Sequence, residues 1–299
     1  MEYFVDRSAL NSKGEINISE KEYQSIKEAK NFLSEALSIE KKFDILMENY
    51  YEFEIDLLNI STRHMIFRGE LNEEKFHNDL TLMNRRLANL LSSTKLYIDH
   101  GKHQLSSCFH LDKETINQNY SFEYDNTLDY RVMEALRNYI QHRDLPIDGQ
   151  TYNSQENYDN TQWLYSQTLY FKIANLKNDG KFKKTILTEL SNIGEKHYIK
   201  NYVRGYIESL YRIHNKIRLQ IEKYIYDSND VFNLYSTKYQ EETNFKEKTI
   251  GLRAIKYDNK ILDEIYILND YVYNIERLKK KNTSLKNLSS QYVTSEIII

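Results

Sequence analysis

"VRGYIESLYRIHNKIRLQIEKY", residues 203–224, places Val203, Ile207, Leu210, His214, Ile217, Ile221 and Tyr224 at steps of four and three. Residues at those steps share one face of an α-helix, because a turn takes 3.6 residues. The stripe predicts a helix over 197–226, with His214 as a packed, hydrogen-bonded core residue rather than a ligand. Phe76, Leu80, Met83, Leu87 and Leu90 draw the same pattern and predict a helix over 72–98, with Gly101 as its cap in the exit "DHGKHQLSS" (99–107). "SEKE" (19–22) is a capping box, in which Ser19 accepts from a backbone N–H and Glu22 reaches back. It opens a helix carrying Ile26, Phe32, Leu33, Leu37, Phe43, Leu46 and Tyr50, extending to about residue 63. Further helices are predicted over 126–143, 182–192, 228–242 and "NDYVYNIERLKKKN" (269–282).

Between these stripes the pattern weakens. "EINIS" (15–19) alternates like a brief strand. Residues 104–124 read as irregular, "PIDGQTYNSQENYDNTQ" (146–162) as a polar surface loop, and 167–175 as either a strand or a short helix. "TIGLRAIKYDNKILDEIYIL" (249–268) fits a hairpin turned at "DN", or a strand followed by a helix, and the terminal "YVTSEIII" (292–299) docks or frays. One proline and eight glycines leave few breakers. The expected fold is mainly α: an antiparallel helical bundle over 1–227, with a small mixed C-terminal extension over 228–299.

Composition narrows the function. Charged residues make up 28%, mean hydropathy is −0.72, and no apolar run reaches the length of a membrane helix. No basic-then-apolar leader opens the chain, and the single cysteine, Cys108, excludes an intrachain disulfide. A cytoplasmic protein without a membrane partner is expected. Net charge is −3, which disfavours a general coat on nucleic acid but is compatible with a small local basic site. No Walker-type loop, spaced glycine trio or nucleophile elbow is present. Asp99, His100, His103 and His110 match no standard zinc spacing, so no metal and no cofactor are expected.

The helix at 126–143 holds the chemistry. Leu128, Val132, Met133, Ala135, Leu136, Tyr139 and Ile140 fill one arc of its wheel, and Asp129 is the one polar intruder among them. Tyr130, Arg131, Glu134, Asn138, Gln141 and His142 fall beside Arg137 on the other arc. Arginine holds phosphate oxygens in pairs, and histidine moves protons near neutral pH. Asparagine orients either one. Such a set can promote attack of an RNA 2′-hydroxyl on the adjacent phosphate without a metal.

Arg137-Asn138-Tyr139-Ile140-Gln141-His142 resembles the signature of the HEPN superfamily: Arg, then Asn, Asp or His, three residues, then His. The continuation "HRDLPI" is similar to uncharacterised bacterial HEPN-like proteins. The resemblance covers about residues 120–147, and more loosely the bundle to residue 227. It implies a helical bundle that dimerises so that two motifs form one metal-independent ribonuclease site, of the kind found in toxin–antitoxin, abortive-infection and CRISPR systems. It implies Arg137 and His142 as catalytic, with Asn138 assisting, and a homodimer acting on RNA. An antitoxin or regulatory protein is a further expected partner. Glu134, Arg131 and Arg143 are supporting residues. The alternative is a non-catalytic HEPN-like module that binds RNA, a nucleotide or a protein.

The competing structural account assigns Arg137 and Asn138 to a solvated face, with Glu134 pairing to Asn138 or Arg131. It makes His142 a helix C-terminal residue favoured by the dipole. "ERLKKKN" (276–282) reads as a solvated helix end.

Overall fold

The computed structural model describes residues 1–8, 14–70, 72–156, 162–178, 180–244, 250–283 and 285–293. The chain is mainly α: 69% of the described residues are helical, and two small antiparallel sheets accompany them. It divides into two compact units. One comprises Met1–Phe43, Asp99–Ile116 and Asn215–Thr283, and the other Asp44–Ile98, Asn117–His214 and Ser284–Ile299. The 227/228 boundary expected from the sequence falls inside a single unbroken helix, α7 (Ile199–Thr243).

The first unit begins with strand β1 (Glu2–Arg7), short β2 (Ile16–Asn17) and helix α1 (Glu20–Ile66), the last of which continues beyond it. The capping box forms as expected: the Ser19 amide donates to Glu22 Oε2 at 2.7 Å, and the Glu22 amide donates to Ser19 Oγ at 3.2 Å. Strands β6 (Leu252–Tyr257) and β7 (Ile261–Tyr266) form a hairpin, the first of the two alternatives the sequence left open, turned at Asn259 with φ of 57°. β1 pairs with β6, giving the sheet order β2-β1-β6-β7 and burying Val5, Leu252, Ala254 and Ile255. The pairing of residues 2–7 with 252–257 has no local signal in the sequence. Phe32, Phe109 and Tyr224 pack their rings at 4.9–5.7 Å, and Arg218 forks onto Glu40 with both bonds at 2.7 Å. Helix α8 (Asp270–Lys281) ends on its lysines, as expected.

The second unit contains the remainder of α1 and most of α2 (Glu73–Ser107), most of α3 (Lys113–Asn126), all of α4 (Leu128–His142), and the start of α7. Its helical core comprises Phe53, Met83, Leu87, Leu90, Val132, Met133, Leu136, Val203, Ile207 and Leu210, each fully buried. His214 is fully buried, and its Nδ1 lies 2.9 Å from Tyr97 Oη. A second sheet, order β3-β4-β5, joins β3 (Gly149–Glu156), β4 (Trp163–Lys172) and β5 (Lys196–Tyr198). Short helices α5 (Ile173–Asn178) and α6 (Lys184–Ile193) lie between β4 and β5. After residue 284 the chain is held by α7: Arg204 donates to the Leu288 carbonyl at 2.7 Å, and the Leu288 amide donates to Glu208 at 2.6 Å.

Several expectations are corrected. α2 does not exit at 99; Gly101 is buried within it, and helix continues to Ser107. Residues 104–124 are therefore largely helical. The polar segment 146–162 contains β3, whose alternation is masked by Gln, Asn and Ser on both faces. Residues 167–175 are strand and helix in turn, the end of β4 and the start of α5. The helices expected over 197–226 and 228–242 are one. Residues 294–299 of the terminal segment lie outside the described residues.

Candidate functional site

α4 is set by both of its ends and one face. Thr127 supplies the extended cap residue before it, and the Arg143 amide closes it on the Tyr139 carbonyl at 2.8 Å. Beyond Pro146, Asn84 of α2 clamps Ile147, accepting from its amide and donating to its carbonyl, each at 3.1 Å. The buried face is Tyr130, Val132, Met133 and Leu136. Tyr130, assigned above to the polar arc, is therefore in the core, where its ring lies 5.2 Å from that of Tyr206.

Asp129, the polar intruder on the apolar arc, has a steric explanation. It lies against Gly205 of α7, where a Cβ would sit 1.8 Å from Asp129 Oδ2 and 2.8 Å from Asp129 Cβ. Only glycine admits this approach. Burial, and then the Glu208 carboxylate, raise the Asp129 carboxyl above its usual range.

The polar arc splits in two. Arg137 turns to Glu134, one helical turn before it: Nη1 reaches Oε1 at 3.1 Å and Nη2 reaches Oε2 at 2.9 Å. Tyr206 donates its hydroxyl to the same Oε1 at 2.5 Å. Burial, and then the Glu134 charge, push the Tyr206 hydroxyl far above its ordinary value, so it stays a donor. Arg137 is half-buried, and its Nε has no hydrogen-bond partner among the described residues.

Asn138 and His142 instead face a cleft of about 350 Å³. Arg131, Glu134 and Arg143 line it too, whereas Arg137 is not among its lining residues. Both Asn138 and His142 are exposed, and among the described residues neither side chain has a hydrogen bond or ion pair. Arg131 does not pair with Glu134. It donates from Nη1 to the Tyr124 and Asp125 carbonyls at 2.8 and 3.0 Å, capping the end of α3, and from Nη2 to Glu189 at 2.5 Å.

The opposite wall was not singled out in the sequence. Lys181, Phe182 and Lys183 approach from the segment before α6, and Tyr124 from α3. Lys183 Nζ donates to Tyr124 Oη at 2.5 Å, 4.8 Å from the ring centroid, and the Phe182 and Tyr139 rings meet at 6.2 Å. The signal was the run Lys181-Phe182-Lys183-Lys184, basic with an aromatic interleaved, about 40 positions downstream of the motif and invisible as a neighbour of it until the chain folds.

The cleft therefore presents four cations, Arg131, Arg143, Lys181 and Lys183, against one carboxylate, Glu134, which is already met by Arg137 and Tyr206. It favours an anion and offers an imidazole to move a proton. Among the described residues no group of three His, Cys, Asp or Glu is arranged to hold a metal ion, and no helix is long and apolar enough to cross a membrane. Comparison with family models, curated proteins and solved structures finds no match.

Proposed function

We propose that the protein is a metal-independent endoribonuclease of a toxin or antiphage system, built on a HEPN-like bundle and working as a cytoplasmic homodimer. One observation supports this most: His142 and Asn138, unpartnered among the described residues, open onto a cleft in which cations outnumber carboxylates. In this reading an RNA phosphodiester enters the cleft. The 2′-oxygen attacks phosphorus as its proton passes to one His142. The 5′-oxygen leaves with a proton from the second copy's imidazole, and the products are a 2′,3′-cyclic phosphate and a 5′-hydroxyl. Asn138 orients the imidazole or donates to a phosphate oxygen. Arg137 meets the developing charge by exchanging Glu134 for the phosphate.

The test is His142→Ala. His142 supports no core contact, so the helical circular dichroism should be unchanged while RNA cleavage falls at least about a hundredfold, the usual size of a general acid–base contribution. Cleavage should survive EDTA, and expression should arrest growth in a His142-dependent way. Undiminished cleavage in the variant rejects the proposal.

A second reading draws on a different observation: Arg137 is engaged by Glu134 and stands outside the lining of the cleft. A non-catalytic module that binds RNA, a nucleotide or a protein at the same face needs no free Arg137. RNA bound but left intact by the wild-type chain, with Arg137→Ala binding equally well, selects it.

A further inference from the structure

Resting on the nucleic-acid reading of the cleft, we infer that the bound phosphodiester is gripped by Arg131, Lys181 and Lys183, three cations outside the Arg137–His142 motif. Arg137 is not the primary grip in this arrangement: its fork is turned to Glu134 and it does not line the cleft, whereas Arg131 does. Arg131 is suited to the task. Its Nη1 is pinned by two carbonyls at the end of α3, so its charge is fixed in place rather than swinging in solvent. Its Nε is buried and has no hydrogen-bond partner among the described residues. Its counter-ion, Glu189, is 40% exposed and does not line the cleft, so water screens it.

Lys181 and Lys183 face Arg131 from the segment leading into α6. Lys183 is the cap residue of that ten-residue helix and gives it no side-chain acceptor, so the positive end of the helix dipole is left for an external anion. An anion between Arg131 and the two lysines lies beside His142, which lines the same cleft, and the ring of Tyr124 borders it. The ligand class that matches is a phosphodiester with an organic group attached, with its oxygens on the cations and its sugar or base along the aromatic side.

The experiment measures binding of a fluorescent 2′-O-methyl RNA oligonucleotide, which lacks the 2′-hydroxyl nucleophile, by anisotropy across a salt series. Lys181→Gln with Lys183→Gln removes two exposed charges and leaves Arg131 to cap α3. Affinity should fall about tenfold, and the slope of log affinity against log salt should shrink by about 0.7 for each phosphate that is no longer neutralised. A matched control, Lys172→Gln with Lys177→Gln, removes two exposed lysines of the same unit that do not line the cleft, and should bind as the wild type does. Equal affinity for the cleft variant and the wild type overturns the assignment. So do equal reductions in the cleft variant and the control, or no binding by the wild-type chain. The same preparations, given cleavable RNA, separate the two ideas. Weakened binding in the lysine variant with no His142-dependent cleavage leaves the phosphate grip standing and removes only the ribonuclease.

Discussion

Replacing Gly205 with alanine should loosen the packing that seats α4, and the size of the effect follows from three distances. The new Cβ would stand 1.8 Å from Asp129 Oδ2, 2.6 Å from Cγ and 2.8 Å from Cβ. Rotating the Asp129 side chain moves the oxygen and Cγ away but cannot move its Cβ, so α4 and α7 must separate by several tenths of an ångström. Overpacking of this kind costs about 1–3 kcal/mol, and the helix preference of alanine over glycine returns about 1 kcal/mol. The overlap with the Asp129 Cβ, which no rotamer relieves, points to the upper part of that range, for a net loss of about 2 kcal/mol. Urea unfolding followed at the helical band should show a midpoint lower by about 0.5 M or more. Asp129→Ala in the same background removes the two nearer atoms and should recover at least half the loss, because two groups in contact are not additive. Alone, that change discards a carboxylate already disfavoured by burial beside Glu208, and should cost little. A Gly205→Ala chain as stable as the wild type would refute the reasoning, as would strictly additive losses in the double variant.

Other outcomes follow from named contacts. Glu134→Ala strands a half-buried guanidinium and should destabilise by about 1–3 kcal/mol in equilibrium unfolding, whereas Glu134→Gln keeps an acceptor for Tyr206 and should cost less. Ser19→Ala should cost about 1 kcal/mol at neutral pH. The Glu22 carboxyl is held low, first by the Ser19 backbone N–H, so its stabilising share is complete above the ordinary carboxylate range. That share drains away as pH falls through the lowered value, and the Ser19→Ala penalty measured at pH 3 should be smaller than at pH 7. Burial lifts the Cys108 thiol to about 11, so alkylation at pH 8 should be slow in the folded chain and fast in denaturant, as mass spectrometry of quenched samples would record.

Helices with long apolar stripes were legible because their signal is local. The steps of α7, the stripe of α2 and the Ser19–Glu22 box each state their structure within a few turns of chain. β1 was missed because its partner lies about 250 positions away, and β3 because polar side chains on both faces of a strand erase the alternation that would mark it. At the site, a helical wheel placed Asn138 and His142 on one exposed surface, which is where they lie. It could not say that Arg137 would bend back to Glu134, since both arginine and its acidic neighbour sit at helical spacing and the choice is made by Tyr206 from another helix. Nor could it supply Lys181 and Lys183, which reach the cleft only through the packing of α6.

Strand β7 closes one side of its sheet with no further strand beyond it among the described residues, and Ile261, Leu262 and Tyr266 remain exposed along it. Its two middle residues are acids: Asp263 is bound by Lys27 at 2.7 Å and Glu264 by Arg253 at 2.6 Å. A bare β-margin with hydrophobic flanks is a template for fibril-like stacking, and two anions at its centre repel an incoming copy. The exchange of both for amides would strip that guard and turn a clear preparation toward precipitation while the monomer's own fold still holds.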